Sequence, residues 1–379
     1  MCTNGNSYNS RIETLDIYKG FLIFLVVWGH FMMPLIDREY PVARRLFLLI
    51  YSFHMPAFIF LSGYFYYGSW KKRGTVFKSI CSWIVLYCAM KMLLNCSDIL
   101  FYGEKKLIPN FLHESYAPWY ILVMIIFKLL LLPIEFIQKI NKKDTETNNQ
   151  NIIKSKADMP KELFSDGISI YLIFLIVLSA CLSMLNMPWQ EKVGDFLALD
   201  RVVSFAPFFY MGMLYKKYLS SGRVSVFEKT NKPLFITGEV LTATFIIFFS
   251  IIGPYTRMFY GTWGYILVYE NMASIFKGVL NPLRVVFIPY ALCIAYFFFV
   301  LINKKVFFLT PFLKKFGIYS LPIYVFHRPI RDAFSYYVLN KVSFGRFEEE
   351  ILIIIMAILS FMCCYLLGNR FTDRVCRPF

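Results

Sequence analysis

Long apolar runs dominate this sequence, each about the length that a helix needs to cross a bilayer, roughly 20 residues. We identify about ten such runs, at approximately residues 17–36, 46–66, 79–97, 117–137, 168–187, 202–216, 234–253, 285–302, 312–330 and 350–369. With 58% hydrophobic and only 17% charged residues, the chain is too apolar to cover a water-facing surface. The sequence therefore predicts an all-α integral membrane protein, a bundle of about ten transmembrane helices.

Two of these runs are weaker candidates for membrane-spanning helices. The run at 202–216 is short and contains Pro207, and the run at 312–330 contains Lys314 and Pro322. Because a broken helix is tolerated in a bilayer where neighbouring helices satisfy its backbone, we expect each to be broken or only partly immersed.

The distribution of basic residues predicts the orientation. Lys and Arg are more frequent in the segments that lie inside when the N-terminus is cytoplasmic, so both termini are expected in the cytoplasm of a multi-pass cell-membrane protein. The net charge of +16 is spread over short loops, which favours membrane lipids as partners and gives no indication of nucleic acid. A polar loop at about 138–167 divides one domain, residues 1–379, into four and six helices, and we expect it to be flexible.

Ionisable groups inside apolar helices are costly and usually mark function. The first run has Asp16 and Lys19 near its inner end and His30 about 16 Å further outward. Under the same topology His54 and His327 also lie in the outer half of the bilayer, so three of the four histidines are predicted there and are expected to gather into one pocket. Neutral imidazole can accept a hydroxyl proton near neutral pH. A buried histidine is also often only a hydrogen-bonded core residue, so both interpretations stay open.

The cytoplasmic side carries a different set of groups. Lys71, Lys72, Arg73 and Lys78 follow the second run and suit the phosphates of coenzyme A. Equally, they are typical of the positive loops that determine topology. Arg201, at the outer start of the sixth run, is either a snorkelling anchor or a substrate contact. No spacing typical of a metal site, a phosphate-binding glycine loop or a dinucleotide site occurs.

Five fragments, in order along the chain, resemble the acyltransferase 3 family of integral membrane O-acyltransferases, particularly its fucose 4-O-acetylase or polysaccharide O-acetyltransferase type. They are LDIYKGFLIFLVVWGH, FHMPAFIFLSGYF, APWYILVMIIFKLL, RVVSFAPFFYMGMLYKK and GIYSLPIYVFH. The first contains Lys19 and His30 at the family's spacing, the third is centred on Trp119, and the fourth begins at Arg201. Many members carry two arginines three residues apart after the second helix, and here the basic residues at 71–73 and 78 replace them.

The resemblance implies transfer of an acetyl or similar short acyl group from cytoplasmic acetyl-CoA, or another acyl-CoA, to a hydroxyl of a cell-surface or lipid-linked sugar. Acyl-CoA is then a co-substrate, and no permanently bound cofactor or metal is expected. We expect His30 and His327 to be catalytic, with His30 acting as a general base or as a transient acyl carrier. The expected substrate-binding residues are Asp16, Lys19, His54, Trp119 and Arg201.

Two other functions fit parts of the same pattern. Buried histidines and basic groups in about ten helices also suit a proton-coupled transporter of a sugar or an anion, which would favour internal inverted repeats. We find no such repeat. A non-catalytic membrane scaffold would have no need of buried histidines.

Overall fold

The structure, a computed structural model, describes residues 4–73, 77–114, 118–136, 167–184, 196–220, 243, 283–305, 308–339 and 349–376. Over these ranges the chain is helical and contains no β-strand, only one isolated bridge between His113 and Phe196. The helices are α1 Asn4–Asp37, α2 Pro41–Arg73, α3 Phe77–Tyr102, α4 Trp119–Leu129, α5 Gly167–Ser183, α6 Leu199–Ser220, α7 Leu283–Lys305, α8 Thr310–Ile318, α9 Ser320–Phe334, α10 Glu349–Leu367 and α11 Arg370–Cys376. A π-helical turn, Ser335–Leu339, follows α9.

Five helical segments in the described part are long and apolar enough to cross a membrane: Glu13–Asp37, Pro41–Trp70, Ser79–Tyr102, Trp119–Phe136 and Glu349–Leu367. Two shorter apolar helices are Gly167–Ser183 and Phe287–Ile302. Many of their outward side chains are large and apolar, and such a surface suits lipid better than water. The all-helical, multi-pass prediction is confirmed, whereas the total of ten spans and the cytoplasmic location of the termini stay predictions.

Every predicted run except 234–253 falls on a described helix. Apart from residue 243 that run lies outside the described residues, as does nearly all of the predicted loop at about 138–167. The expected break in the run at 312–330 is present, because Tyr319 leaves helical geometry between α8 and α9. The expected break at Pro207 is absent: α6 continues through this proline as a single helix.

Glycines let α1 and α8 approach until their backbones touch. A side-chain carbon at Gly20 would overlap the carbonyl group of Leu313, and one at Gly317 would overlap the carbonyl group of Asp16. The contact is therefore reciprocal, with one glycine from each helix. Small residues at such positions are a general means of packing membrane helices closely.

The same arrangement joins α2 to α6. A side-chain carbon at Gly63 would overlap the carbonyl of Phe209, and one at Gly212 would overlap the carbonyl of Phe60. These two pairs of helices form the closely packed centre of the bundle, where many of the fully buried apolar side chains lie.

Contacts along the helices show their relative directions. Lys314 of α8 forms an ion pair with Glu13 of α1 at 2.8 Å, and further along both helices Phe334 of α9 contacts Phe31 of α1. The α8–α9 segment therefore runs parallel to α1, with its late residues beside the late residues of α1. This direction places His327 at the level of His30.

Candidate active site

Two histidines from opposite halves of the chain lie side by side in the bundle. The ring centroids of His30 in α1 and His327 in α9 are 5.1 Å apart, with a 47° angle between the ring planes. His327 is completely buried, whereas His30 is partly exposed. We call these two residues the histidine pair. The prediction that distant histidines lie close together therefore agrees with the geometry.

The backbone of α9 determines which nitrogen of His327 is free. Its Nδ1 lies 2.7 Å from the carbonyl oxygen of Tyr324 and 3.1 Å from that of Ile323. A carbonyl oxygen only accepts, so Nδ1 carries the proton and donates it. In neutral His327 the lone pair is then on Nε2, which is buried and has no hydrogen-bond partner among the described residues. Nδ1 of His30 is also buried and has no hydrogen-bond partner among the described residues.

A third histidine, His54 of α2, lies near the pair. It is almost fully buried, its Nδ1 donates to the carbonyl oxygen of Ile50 at 2.7 Å, and its ring packs edge-on against Tyr51 at 4.6 Å. His54 is close enough to His30 to interact with it electrostatically. The structure thus brings all three predicted histidines into one region, with His54 held by its own helix.

A charged cluster adjoins His327 on the same helix. Asp332 accepts contacts from the guanidinium groups of Arg328 at 3.4 Å and Arg331 at 3.1 Å. Its carboxylate also accepts hydrogen bonds from Ser97 and Tyr102 of α3, each at 3.2 Å. We call Arg328, Arg331 and Asp332 the arginine cluster. Its position puts two cations within electrostatic reach of both histidines of the pair.

Aromatic rings connect the histidine pair to the start of α4. Tyr324 lies 5.9 Å from His327 and 5.2 Å from Tyr120, measured between ring centroids. The Tyr120 hydroxyl is hydrogen-bonded to that of Ser62 at 2.8 Å. The neighbouring Trp119 of α4 is half-buried, so its ring lies at the edge of this aromatic group.

Trp119 and Arg201, both predicted to contact substrate, lie together. The guanidinium carbon of Arg201 is 5.8 Å from the Trp119 ring, and Trp119 stacks on Phe205 at 5.3 Å. Arg201 also donates to the backbone carbonyl of Glu114 at 2.7 Å. An aromatic face beside a buried cation is a surface that can hold a sugar ring.

A buried ion pair lies next to Arg201. Lys91 of α3 contacts the Glu114 carboxylate at 2.8 Å, and the Tyr87 hydroxyl donates to the same oxygen at 3.1 Å. The Glu114 side chain is completely buried and that of Lys91 is 10% exposed. Because the pair shares a carboxylate with a tyrosine and adjoins Arg201, it fixes the loop before α4 against α3.

Other predicted residues lie away from the histidine pair. Asp16 and Lys19 are at the opposite end of the α1 span, where Lys19 lies 5.6 Å from the Phe65 ring and Asp16 is within electrostatic reach of Lys314. Lys71, Lys72 and Arg73 are in the last turn of α2, and Lys78 is in the first turn of α3. Their side chains lie outside the described part of the chain.

A further buried cation lies near that end of the bundle. Lys128 of α4 is 1% exposed, and its ammonium group lies 3.8 Å from the Trp83 ring and donates to Ser79 at 3.1 Å. Cation–π contact and a hydroxyl acceptor compensate part of the cost of burying this charge. The arrangement suits a structural cation that joins α3 and α4.

Several of these groups were not among the residues predicted from the sequence. Lys91 and Lys128 are single lysines within apolar runs, so a search for every charge inside such a run would have found them. Arg331 and Asp332 follow His327 by one turn, just past the end of the run at 312–330. Glu114 gave no such signal, because it lies in a polar loop and only the tertiary structure buries it.

Comparisons with known proteins agree with the resemblance inferred from the five fragments. Residues 12–369 match a family described as an acyltransferase domain. A segment of 63 residues is 43% identical to the nodulation protein NolL of Sinorhizobium fredii and covers 16% of this chain and 17% of that protein. No solved structure matches the chain significantly. Since the family match spans nearly the whole sequence, the protein belongs to the acyltransferase 3 family of membrane acyltransferases.

Proposed function

We propose that this protein is a membrane O-acyltransferase that moves an acetyl or similar short acyl group from cytoplasmic acyl-CoA to a hydroxyl of a cell-surface or lipid-linked sugar. The observation that carries the proposal is the histidine pair, with its 5.1 Å separation and one nitrogen in each ring that has no hydrogen-bond partner among the described residues. Family membership supports the acyl-transfer class of reaction. The identities of the donor, the acceptor and the acyl group are part of our proposal and do not follow from family membership.

The geometry supports a division of roles within the pair. In this proposal His30 carries a proton on Nδ1 and donates it to the lone pair on Nε2 of His327, two buried nitrogens that have no hydrogen-bond partner among the described residues. That proton position leaves a lone pair on Nε2 of the partly exposed His30. His30 then takes the proton of the sugar hydroxyl, and His327 orients it, as a base is oriented by a third group in other acyltransferases and hydrolases.

The acceptor and the donor are proposed to approach from opposite ends. Trp119 and Arg201 lie beyond Tyr324 on the side where loops are predicted to be outside, and they form the sugar contact of the proposal. The basic residues at 71–73 and 78 lie at the other end, where they meet the phosphates of coenzyme A. The acyl group must then pass between the helices to His30.

Purified protein in lipid vesicles tests this function with radiolabelled acetyl-CoA as the donor and membrane glycans from the producing cells as the acceptor. We expect label in the glycan fraction and a loss of at least about 100-fold in His30→Ala. His113→Ala is the matched control, because His113 is exposed in a loop. A correctly inserted His30→Ala protein that transfers acetyl at the normal rate would show that the proposal is wrong.

Two further measurements identify the acyl group and test the transporter alternative. Mass analysis of glycans from cells with and without the protein distinguishes an acetyl from a succinyl addition. Sugar uptake into the same vesicles addresses the transporter, because a proton-coupled transporter would move label across the bilayer without modifying it. Modification without net uptake is the outcome expected here.

A further inference from the structure

Arg331 faces the same side of α9 as the reactive histidine. Residues four apart lie one turn apart on one face of a helix, so Arg331 lies one turn beyond His327. Phe334, a further turn along, contacts Phe31, which directly follows His30 in α1. Arg331 thus lies on α9 between the level of the histidine pair and this aromatic contact, and its charge is within electrostatic reach of both histidines.

The arginine is held in place by a buried carboxylate that has several partners. Asp332 is 1% exposed, lies within ion-pair distance of Arg328 and Arg331, and accepts hydrogen bonds from Ser97 and Tyr102. A group fixed in this way needs little reorganisation when charge develops beside it. Such preorganised donors are the usual means of stabilising charge in an active site.

One donor of Arg331 has no acceptor in the described part of the chain. Its Nη2 contacts Asp332 at 3.1 Å, but its Nε is buried and has no hydrogen-bond partner among the described residues. Buried donors are nearly always satisfied in folded proteins. An unsatisfied one beside a reactive pair is explained if its acceptor exists only during the reaction.

We propose that Arg331 is a further catalytic residue, which donates from Nε to the carbonyl oxygen of the acyl group while that oxygen carries negative charge. This inference rests on the proposed function. The acceptor hydroxyl oxygen bonds to the thioester carbon, the C=O π electrons move to the carbonyl oxygen, and the hydroxyl proton passes to His30. As the C=O bond re-forms, the C–S bond breaks, and coenzyme A leaves with the proton from His30.

The mechanism assigns a separate task to each cation of the arginine cluster. Arg328 shares the same Asp332 oxygen as Arg331, at 3.4 Å, and lies next to His327 in the sequence. It contributes positive charge to the site, whereas Arg331 supplies the directed hydrogen bond. Loss of Arg331 is therefore expected to slow the chemical step more than it weakens the binding of either substrate.

The test uses Arg331→Met and Arg331→Lys in the full-length protein in vesicles, with acetyl-CoA as donor. We expect kcat to fall by roughly 100-fold or more in Arg331→Met, with KM for acetyl-CoA changing by less than about threefold. Arg331→Lys keeps the charge but not the directed Nε–H, so roughly a tenfold loss is expected. Arg45→Met, at an exposed arginine near the start of α2, is the matched control.

Acceptor-independent hydrolysis of acetyl-CoA by the same vesicles separates the possible roles of Arg331, because it forms the same anionic oxygen without a sugar. We expect it to fall in parallel with transfer. A folded Arg331→Met variant with normal kcat overturns the inference, and so does normal kcat in Arg331→Lys. Unchanged hydrolysis with a raised KM for the glycan would instead assign Arg331 to an anionic group of the acceptor. If the wild-type protein itself transfers nothing, the proposed function fails and not this assignment alone.

Discussion

His327 donates its Nδ1–H to the carbonyl oxygen of Tyr324 at 2.7 Å, and this bond leaves the lone pair on Nε2, in a ring whose centroid is 5.1 Å from that of His30. A backbone carbonyl one turn earlier in the helix thus sets the proton position on a side chain of the proposed site. The protonated nitrogen of His327 follows from main-chain geometry and requires no carboxylate.

Replacement of His327 by Asn or by Gln distinguishes the roles of its two ring nitrogens. Asn at this position retains a donor near Nδ1 but removes the Nε2 acceptor, whereas Gln places an amide oxygen near Nε2. We expect His327→Asn to lose roughly 100-fold in transfer and His327→Gln to retain clearly more activity. Rates of transfer from labelled acetyl-CoA provide the comparison. Equal activity of the two variants would rule out a role for Nε2 as an acceptor.

Substitution of Trp119 is expected to affect the acceptor alone. Its ring stacks on Phe205 and lies beside Arg201. Trp119→Ala removes this face, so KM for the glycan should rise by about tenfold, while acceptor-independent hydrolysis of acetyl-CoA stays unchanged. Trp119→Phe keeps the stack and serves as the conservative control. A loss of hydrolysis in Trp119→Ala would place this ring in the donor path instead.

Neutralising the basic residues at the opposite end should weaken donor binding. In a variant with Gln at positions 71, 72, 73 and 78, KM for acetyl-CoA should rise by about tenfold or more with little change in kcat. Acetyl-pantetheine lacks the nucleotide phosphates, so its KM should not change. Gln substitutions at Lys105 and Lys106, which are exposed in another loop, are the control.

If these cations determine only topology, the same variant would bind both donors normally. Labelling of single cysteines from each side of the membrane would then reveal an altered orientation. The two interpretations of this basic segment therefore predict different measurements.

The buried ion pair of Lys91 and Glu114 is expected to be sensitive to the loss of one partner. Lys91→Met leaves a buried carboxylate without its cation, which typically costs about 3–5 kcal/mol of stability. The double variant Lys91→Met with Glu114→Gln removes both charges and should recover much of this loss. Thermal unfolding in detergent measures both effects. A double variant less stable than Lys91→Met would contradict the pairing seen at 2.8 Å.

The glycine contact between α2 and α6 gives a prediction with an internal control. A Cβ at Gly63 overlaps the Phe209 carbonyl, whereas one at Gly68 meets only the end of the Lys216 side chain at 3.8 Å. Gly63→Ala should therefore destabilise the protein by about 2 kcal/mol or more. Gly68→Ala should be neutral or slightly stabilising, since alanine favours a helix. If the two variants have the same unfolding midpoint, the close approach of Gly63 to the Phe209 carbonyl is contradicted.

The helices could be predicted because hydropathy over about 20 residues is a local signal. The structure lengthens several of them, as in α2, whose polar first and last turns no hydropathy criterion would include. Of the two alternatives expected for the run at 202–216, the broken helix is wrong, since α6 continues through Pro207 and neighbouring helices can stabilise such a proline. Partial immersion of this helix stays a prediction. The break at Tyr319 was foreseen from the charges and the proline in that run.

The site was predictable only in part. His30, His54 and His327 were identified as residues, and their approximate depth followed from helix geometry. Their mutual contact depends on how α1, α2 and α9 pack, which hydropathy does not encode. Glu114 shows the limit most clearly, because it lies in a polar loop and its partners Lys91 and Tyr87 belong to α3.

The reciprocal glycine contact between α1 and α8 has a consequence for how this protein can change over evolution. The atoms that touch there belong to the main chain, and every sequence shares those atoms. Side-chain substitutions elsewhere on α1 and α8 therefore leave the touching atoms in place, and the closeness of the two helices at this level depends on the two glycines. Substitutions on the lipid-facing sides of these helices are expected to alter the fit to the surrounding membrane without altering that closeness.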